Sequence, residues 1–487
     1  MKLTRTQRNF LISLIVGLLI YFLLPAANGL TETGVHFLAV FIPLVYIWLT
    51  EGGSGWSALL ATGILILMGA YDGATTYQML WGGSMVAMII PFYMVANALD
   101  ESGAIMWLVR WILSRKIVHG RPFLFSVLFV LSIVCMSVFI SPMVCIVIFF
   151  KILREITESV NISRDSAFYR GHGLLLGWIG MVCDGTLIWG RPFIISMHAL
   201  ILGFGFEHFT INDYFKLSIL YLLFFCIAGL VIVWVLIRPN TEEFMNFNDA
   251  AIRADLAANP MTKRSKILLC GMLVVVAAYV AAFFTPLGAI QVYFNGLPVA
   301  VPVSVVVAVL SLITVDGKPA LDIGKEASKL PWNTIMFLGS VMFFGGIVGS
   351  DAFGISACLG NLITPIVSQM PAMVAIFVGL LIAGVMTNVT SNAVTCMVVL
   401  SCFTPAMIAA PNISNAQVLA FCSVVVMMCS TAIATLASGA TMSVVYCPDG
   451  IEYKGTFKYS ALIVFVMVCI GAFILVPLGT TFFSALV

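Results

Sequence analysis

Charged side chains are scarce in this chain. Only 9% of its 487 residues are Asp, Glu, Lys or Arg, whereas an ordinary soluble domain has about 25%. A chain of this length with so little charge could not cover a water-exposed surface. Since 61% of the residues are hydrophobic, the composition predicts an all-α protein that crosses a lipid bilayer several times.

The chain also lacks an excess of charge of either sign. Lys and Arg total 23, Asp and Glu total 21, and the net charge is +2. This balance excludes a nucleic-acid binder that relies on a basic face, because such binding is driven by the neutralisation of phosphates. It equally excludes a disordered acidic protein.

Catalytic and metal-binding motifs are lacking as well. The 12 cysteines lie mostly within apolar runs and form no CxxC and no cluster with histidine, which argues against a zinc site. There is no HExxH and no GxSxG. We therefore expect a protein that is not an enzyme, and an intramembrane enzyme is kept only as a remote alternative.

Long apolar runs dominate what is present. The first, at 10–25, is interpreted as a transmembrane helix and not as a secretory leader, because no convincing cleavage site follows it. Basic residues are concentrated in the N-terminal tail and in a few loops, and the positive-inside rule places these in the cytoplasm. The sequence predicts a multi-pass plasma-membrane protein with a cytoplasmic N-terminus and an external C-terminus. The segments that contain no Lys or Arg, and are expected outside, are 25–35, 285–297, 350–371 and 411–416.

Two apolar stretches cannot be simple crossings. Arg121 and Lys151 bracket the first, and both flanks are predicted to be cytoplasmic. A re-entrant hairpin over 122–157, with its tip near 140–142, resolves this conflict. The stretch 371–411 poses the mirror problem and predicts a hairpin that enters from outside. Non-helical backbone at membrane depth requires protein or a water-filled cavity around it.

An internal repeat relates the two halves of the chain. Trp81 is followed after 19 residues by Asp100, and Trp332 is followed after 19 by Asp351. The two hairpin tips and two later Gly-containing breaks also match in order. The predicted sides of the loops make the two repeats inverted relative to each other. The chain is predicted to divide into N-terminal helices 1–78, repeat one 79–237, a cytoplasmic linker 238–266 and repeat two 267–487. Each repeat contains a broken span, at 166–204 in the first and 416–446 in the second.

Inverted repeats with paired broken helices are typical of secondary transporters, whose substrate binds near the midplane where the breaks meet. Ser141 and Ser391 each begin a half-helix at a hairpin tip. Free N–H groups and the positive end of the helix dipole would make such a tip attractive to an anion. The alternative is that Ser141 merely caps an ordinary helix start before Pro142. That alternative does not explain a helix start in the middle of an apolar stretch.

Two charged residues flank the predicted break in repeat one. Asp184 and Arg191 both fall inside the predicted span 166–204, where charge is costly and usually faces a cavity. Arg191 could bind a substrate carboxylate through its fork of N–H groups. It could instead pair with Asp184 for structural reasons, or Asp184 could carry a coupling proton beside a fixed Arg191. The sequence leaves these three interpretations open.

At the second tip the sequence Thr387-Asn-Val-Thr-Ser-Asn-Ala393 resembles the divalent-anion:sodium symporter family of di- and tricarboxylate and sulfate carriers. That family has a Ser-Asn-Thr motif at each of two opposed hairpins. The resemblance also includes 331–335 and 186–192. It implies a divergent member with about 11 spans, an elevator-type mechanism with scaffold and transport domains, and a homodimer. The substrate-binding residues it implies, together with the tips and breaks, are Ser141, Ser391, Asn392, Arg191, Thr186 and Thr435.

The resemblance also implies sodium sites. The second would use Thr387, Asn392 and backbone carbonyls near Thr390 and Ala434. The first would use Ser137 and Ser141, but Pro142 and Met143 stand where the family motif has Asn and Thr. One sodium site is therefore expected more than two. The predicted function is secondary active transport of a di- or tricarboxylate coupled to sodium; the alternatives are sodium-independent anion exchange and proton coupling.

Overall fold

A computed structural model describes most of the chain. Its described residues are 4–51, 55–82, 84–113, 120–139, 142–159, 161–188, 192–242, 244, 254, 256–281, 288–297, 300–348, 351–435, 440–446, 450–452 and 455–487. Residues 243, 245–253 and 255 of the predicted linker lie outside these ranges, as do the sequence-predicted site residues Ser141 and Arg191.

Eleven helices make up the first half. They are α1 Arg5–Leu23, α2 Glu32–Glu51, α3 Gly55–Leu67, α4 Gly73–Trp81, α5 Ser84–Glu101, α6 Ala104–Leu113, α7 Pro122–Ser137, α8 Pro142–Ser159, α9 Ala167–Thr186, α10 Pro192–Gly203 and α11 Ile211–Val231 within the described residues. A π-helical stretch, Ile232–Ile237, continues α11.

The second half is built in the same way. Its helices within the described residues are α12 Lys263–Ala281, α13 Ala289–Gly296, α14 Ala300–Leu312, α15 Ile323–Ser328, α16 Trp332–Val348, α17 Ile355–Val367, α18 Ala372–Thr387, α19 Asn392–Ala409, α20 Asn415–Cys429, α21 Ala440–Val445, α22 Phe457–Ile470 and α23 Val476–Phe483. A 3₁₀ turn at Asp351–Phe353 precedes α17, and π-helical Gly471–Leu475 joins α22 to α23. The two short strands β1 Thr314–Val315 and β2 Lys318–Pro319 pair antiparallel.

Proline and hydroxyl residues explain where several of these helices begin. Helices α7, α8 and α10 start at Pro122, Pro142 and Pro192, where proline fits because the first N–H groups of a helix have no internal partner. Ser166 caps α9 by accepting from the Tyr169 N–H. Ser414 forms a reciprocal capping box with Gln417 at the start of α20. Capping residues next to the helix starts therefore determine where both predicted broken spans begin.

The membrane character follows from the helices themselves. In the described part of the chain, five helices are long and apolar enough to cross a membrane, or six if the bent pair 361–367 and 372–387 is one span. That pair is bent by 119°. The molecule is an all-α, multi-pass membrane protein, as the composition predicts. Most of its remaining apolar helices are too short to cross alone, so the figure of about 11 spans stays a prediction.

Two pairs of helices have the form of the predicted hairpins. Helix α7 packs against α8, and α18 packs against α19. The first helices of the two pairs begin at Pro122 and Ala372, 250 positions apart. The second helices begin at Pro142 and Asn392, also 250 positions apart.

Contacts between the halves are reciprocal. Helices α3 and α4 pack against α16, while α14 and α15 pack against α5. Helix α10 packs against α19 and α20, while α21 packs against α8 and α9. Each half therefore contacts the other through helices that occupy the same places in the chain order.

Helices α9 and α20 form the buried centre. Nearly every residue of α9 and most residues of α20 are buried among neighbouring helices, and the two helices contact each other. Both end inside the protein, at Thr186 and Cys429. The last carbonyl groups of a helix have no partner within it, so these two ends are where polar chemistry is concentrated.

Candidate functional site

The two buried helix ends touch each other. A Cβ atom added to Gly185 would lie 2.5 Å from Cβ and Oγ of Ser430 and 3.3 Å from the Val426 carbonyl oxygen. The Ser430 hydroxyl lies 3.5 Å from the Val182 carbonyl oxygen. Only glycine allows this approach. The last turn of α9 therefore meets the end of α20 at Gly185 and Ser430.

The second break is an extended stretch of non-helical backbone. Helix α20 ends at Cys429, and residues 430–435 are not helical. Two hydroxyls turn back onto the helix end: Ser430 bonds the Met427 carbonyl and Thr431 bonds the Met428 carbonyl, each at 2.6 Å. The same two carbonyls also accept from the backbone N–H groups of Ser430 and Thr431, so the hydroxyls add a second bond to each carbonyl at the end of the helix. The groups beyond them need partners from elsewhere in the protein.

Asn388, at the tip between α18 and α19, supplies those partners. Its Oδ1 accepts from the N–H groups of Ile433 at 2.9 Å and Ala434 at 2.6 Å. Its Nδ2 donates to the carbonyls of Gly384 at 2.8 Å and Thr431 at 3.0 Å. The amide thus makes all four hydrogen bonds available to it. The tip and the second break form one hydrogen-bonded unit.

The predicted sodium ligands lie at the same junction. The fully buried Thr387 hydroxyl is within hydrogen-bonding reach of the Cys429 carbonyl and lies 3.2 Å from Asn392 Oδ1. Ala434 is held beside the tip by Asn388. Thr390 bonds the Met386 carbonyl at 3.0 Å. The structure brings Thr387, Asn392 and the Cys429 carbonyl together as neutral oxygen groups, the type that suits a hard cation.

Helix α19 begins at this junction. Ser391 is its N-cap, with extended backbone, and makes no side-chain capping bond. The first N–H groups of α19 are therefore not used by that hydroxyl. An uncapped start of an 18-residue helix carries partial positive charge and suits an anion. Ser391 and Asn392 are both half-buried.

The first break is built differently. Helix α9 stays helical through Thr186. The carbonyls of its last turn are satisfied by α11: the Tyr214 hydroxyl donates to Gly185, and the Ser218 hydroxyl donates to Thr186 at 2.7 Å. Both α11 side chains are buried. At the end of α9 the hydrogen bonds come from the neighbouring helix α11. At the end of α20 they come from Asn388 at the hairpin tip.

The remaining predicted residues have these positions. Ser137 is fully buried and its hydroxyl donates to Cys145 Sγ at 3.7 Å. Thr186 is fully buried and donates to the Val182 carbonyl at 2.9 Å. Thr435 donates to the Asn388 carbonyl. Asp184 is half-buried in the last turn of α9. Its proposed partner Arg191 lies outside the described residues, as does Ser141.

Sequence reasoning missed four polar residues here. Asn388 and Thr395 belong to the second tip, where the Thr390 and Thr395 hydroxyls bond each other. Tyr214 and Ser218 lie on α11, one turn apart. The sequence held one signal for Asn388 and one for the pair Tyr214 and Ser218. Asn388 aligns with the apolar Val138 in the repeat comparison, and residues four apart share a helix face.

The comparisons with known proteins agree with this architecture. No curated protein matches the chain. The family CitMHS, described as citrate transporter, matches residues 44–426, which is most of the chain. It belongs to the ion transporter superfamily together with the divalent-anion:sodium symporters, so the predicted resemblance is confirmed. The chain is therefore a member of the citrate transporter family, a family of secondary carriers for citrate and related carboxylates.

Proposed function

We propose that this protein carries a di- or tricarboxylate across the plasma membrane in symport with one sodium ion. The observation that carries the sodium part of the proposal is the cluster of Thr387, Asn392 and the Cys429 carbonyl at the second break. These groups are uncharged oxygens, buried at Thr387 and Cys429 and half-buried at Asn392, so they fit a monovalent cation that prefers oxygen ligands. Ala434 and Thr390 complete the proposed set.

The inverted repeat is part of this proposal. The equal spacing of the two helix pairs and the reciprocal packing between halves support it. A two-fold relation between halves gives two similar packing arrangements, one open to each side. Alternating access then follows from moving one part of the molecule against the other. We propose an elevator-type movement, a homodimer, a cytoplasmic N-terminus and an external C-terminus on the same basis as the family resemblance.

The anion is proposed to bind at the start of α19. The uncapped N–H groups beside Ser391 would attract one carboxylate. A sodium ion at Thr387 and Asn392 would place a second positive charge close to it. We further propose that Arg191 provides a third, because its guanidinium can hold a carboxylate by two parallel hydrogen bonds. Thr435 and Thr186 then act at the breaks, where the substrate would pass.

The first hairpin tip is proposed to hold no sodium. Pro142 offers neither a side-chain amide nor a backbone N–H, and Met143 offers no hydroxyl. The hydroxyl of Ser137 is directed to a sulfur atom. Coupling would therefore use the second break alone.

Flux into proteoliposomes tests the function directly. Purified protein is reconstituted, and uptake of labelled citrate is measured with sodium, potassium or choline outside, and with or without unlabelled citrate inside. We expect saturable uptake that needs sodium. Undiminished uptake without sodium that is stimulated by internal citrate would show an exchanger, and uptake driven by a pH gradient alone would show proton coupling. Absence of saturable flux under every condition would contradict a carrier.

The role of Arg191 is tested by substitution. If it binds substrate, Arg191→Lys should weaken citrate binding markedly because the fork geometry is lost, and Arg191→Ala should nearly abolish binding in a folded protein. If Arg191 only pairs with Asp184, its removal should cost roughly 3–5 kcal/mol of stability. In that case Asp184→Asn together with Arg191→Ala should recover both stability and transport, and the substrate role would be wrong.

A further inference from the structure

The side chain of Asn388 has a role that the substrate and sodium ligands do not explain. It is 6% exposed and its amide is fully used in hydrogen bonds. Every one of those bonds is to main-chain groups: the carbonyls of Gly384 and Thr431, and the N–H groups of Ile433 and Ala434. Since donors meet acceptors on both sides, the orientation of the amide is fixed.

Three of those four bonds join parts of the chain that are far apart in sequence. Thr431, Ile433 and Ala434 belong to the unwound second break and lie 43, 45 and 46 residues after Asn388. The fourth bond anchors the amide to Gly384 within α18. The neighbouring Thr435 hydroxyl also donates to the Asn388 carbonyl. Hence Asn388 joins residues 431–434 to the tip, while Tyr446 also holds this stretch by donating to the Ile433 carbonyl at 3.1 Å.

We propose that Asn388 is a positioning residue for the cation site, and that it makes the second repeat the one that couples to sodium. The proposal rests on the proposed function. Thr387 is the preceding residue, and Asn392 follows four residues after Asn388 at the start of α19. Ala434 is held by the same amide. The distance between the side-chain oxygens of the tip and the main chain of the break is therefore fixed. A ligand set that is held in advance does not lose binding energy to ordering.

The first repeat shows what happens without such a residue. Val138 aligns with Asn388 and has no hydrogen-bonding side chain. The counterpart of Ala434 in the repeat is Gly185, and its carbonyl accepts from Tyr214 on α11. The two ends are therefore stabilised from different sources. Only the second connects its hairpin tip to its break through a side-chain amide in the described part of the chain.

The test compares Asn388→Ala with a matched control, Asn412→Ala. Asn412 also donates from Nδ2 to a carbonyl, that of Met370 at 2.8 Å, but it is exposed. Sodium-driven citrate uptake is measured in proteoliposomes, and thermal unfolding is measured without sodium. We expect the sodium concentration for half-maximal uptake to rise ~10–100-fold for Asn388→Ala, the range found when groups that orient a metal's ligands are removed. The KM for citrate at saturating sodium should change by less than about twofold, and Asn412→Ala should match the unchanged protein.

Asn388→Thr keeps the result decisive if Asn388→Ala does not fold. Its hydroxyl can still donate once and accept, but it cannot span all four partners. A sodium requirement that stays within about twofold of the unchanged protein in a folded Asn388 variant, with only a lower unfolding temperature, would overturn the positioning role. Sodium-independent uptake by the unchanged protein would instead overturn the proposed function, and this proposal with it.

Discussion

The two helix breaks occupy matching places in the chain yet are stabilised in different ways. At the first, α9 continues to Thr186 and the hydroxyls of Tyr214 and Ser218 on α11 satisfy its last carbonyls. At the second, α20 stops at Cys429 and the unwound backbone is bonded to the hairpin tip by Asn388. The first break is bonded by a packed helix, and the second by a tip residue that lies next to the proposed sodium ligand Thr387.

This difference teaches that similar halves need not share a function. When a break is bonded to its own hairpin tip, a movement of the tip also moves the backbone where α9 and α20 meet. A break that is bonded to a neighbouring helix needs no ligand for stability. We therefore interpret the first break as mainly structural, with Arg191 as the proposed source of charge, and the second as the place where a cation takes part.

The largest expected effect separates the two tips. Thr387→Val keeps the shape of the side chain and removes its hydroxyl, so we expect the sodium concentration for half-maximal uptake to rise ~100-fold, equivalent to about 2.7 kcal/mol. Ser137→Ala, at the aligned position of the first tip, should change it by less than about twofold. The measurement is citrate uptake at varied sodium. Equal changes in the sodium requirement at the two positions would contradict the proposed difference between the two tips.

The second prediction concerns the contact between Gly185 and Ser430, where the ends of α9 and α20 meet. Gly185→Ala places a methyl group 2.5 Å from the Ser430 side chain, and such overpacking costs roughly 1–3 kcal/mol. Thermal unfolding in detergent should show this loss. Gly63→Ala is the control, because a Cβ there would meet nothing within 4 Å. If both variants keep the original unfolding temperature, the breaks do not touch as described.

The bonds from α11 predict a loss of stability without a loss of coupling. Tyr214→Phe leaves the Gly185 carbonyl without its buried donor, which should lower stability by roughly 1–2 kcal/mol. Ser218→Ala should act similarly on the Thr186 carbonyl. The sodium requirement of uptake should stay within about twofold in both variants. A large change in that requirement for Tyr214→Phe would mean that the first break also binds sodium.

The smallest expected effect concerns an ion-pair cluster that joins the halves. Glu101, at the end of α5, pairs with Lys325 at 2.8 Å and with Lys329. These groups are partly exposed, so Glu101→Gln should cost under about 1 kcal/mol of stability. Hydrogen bonding to Glu101 raises the pKa of Lys329. The stabilisation is therefore present below the usual lysine pKa and is lost only as pH rises through the raised value.

Unfolding of the unchanged protein and of Glu101→Gln is to be measured at several pH values. The difference in stability should be constant between about pH 6 and pH 9, because lysine normally titrates near 10.4. A difference that disappears within this range would show that another group controls the cluster.

The sequence predicted much of the architecture because its signals are local. Low charge and long apolar runs predicted the membrane class, and Pro142, Pro192 and Ser391 stand at or next to helix starts. The bonding of the breaks is not local. Asn388 bonds groups more than 40 residues away, and Tyr214 bonds a carbonyl 29 residues earlier. The contrast of Asn388 with Val138 and the four-residue spacing of Tyr214 and Ser218 are sequence signals for polar positions, but neither signal specifies which distant groups these side chains bond.

The central claim is that transport of one carboxylate anion is coupled to a single sodium ion at the second break. The most direct measurement is the dependence of citrate uptake on external sodium, together with the ratio of labelled sodium to labelled citrate taken up by the same proteoliposomes. The account predicts hyperbolic dependence, with a Hill coefficient and a flux ratio both about one, because Pro142 and Met143 at the first tip offer no side-chain oxygen for a second sodium ion. A sigmoidal dependence with a flux ratio of about two, or uptake that ignores sodium, would contradict it.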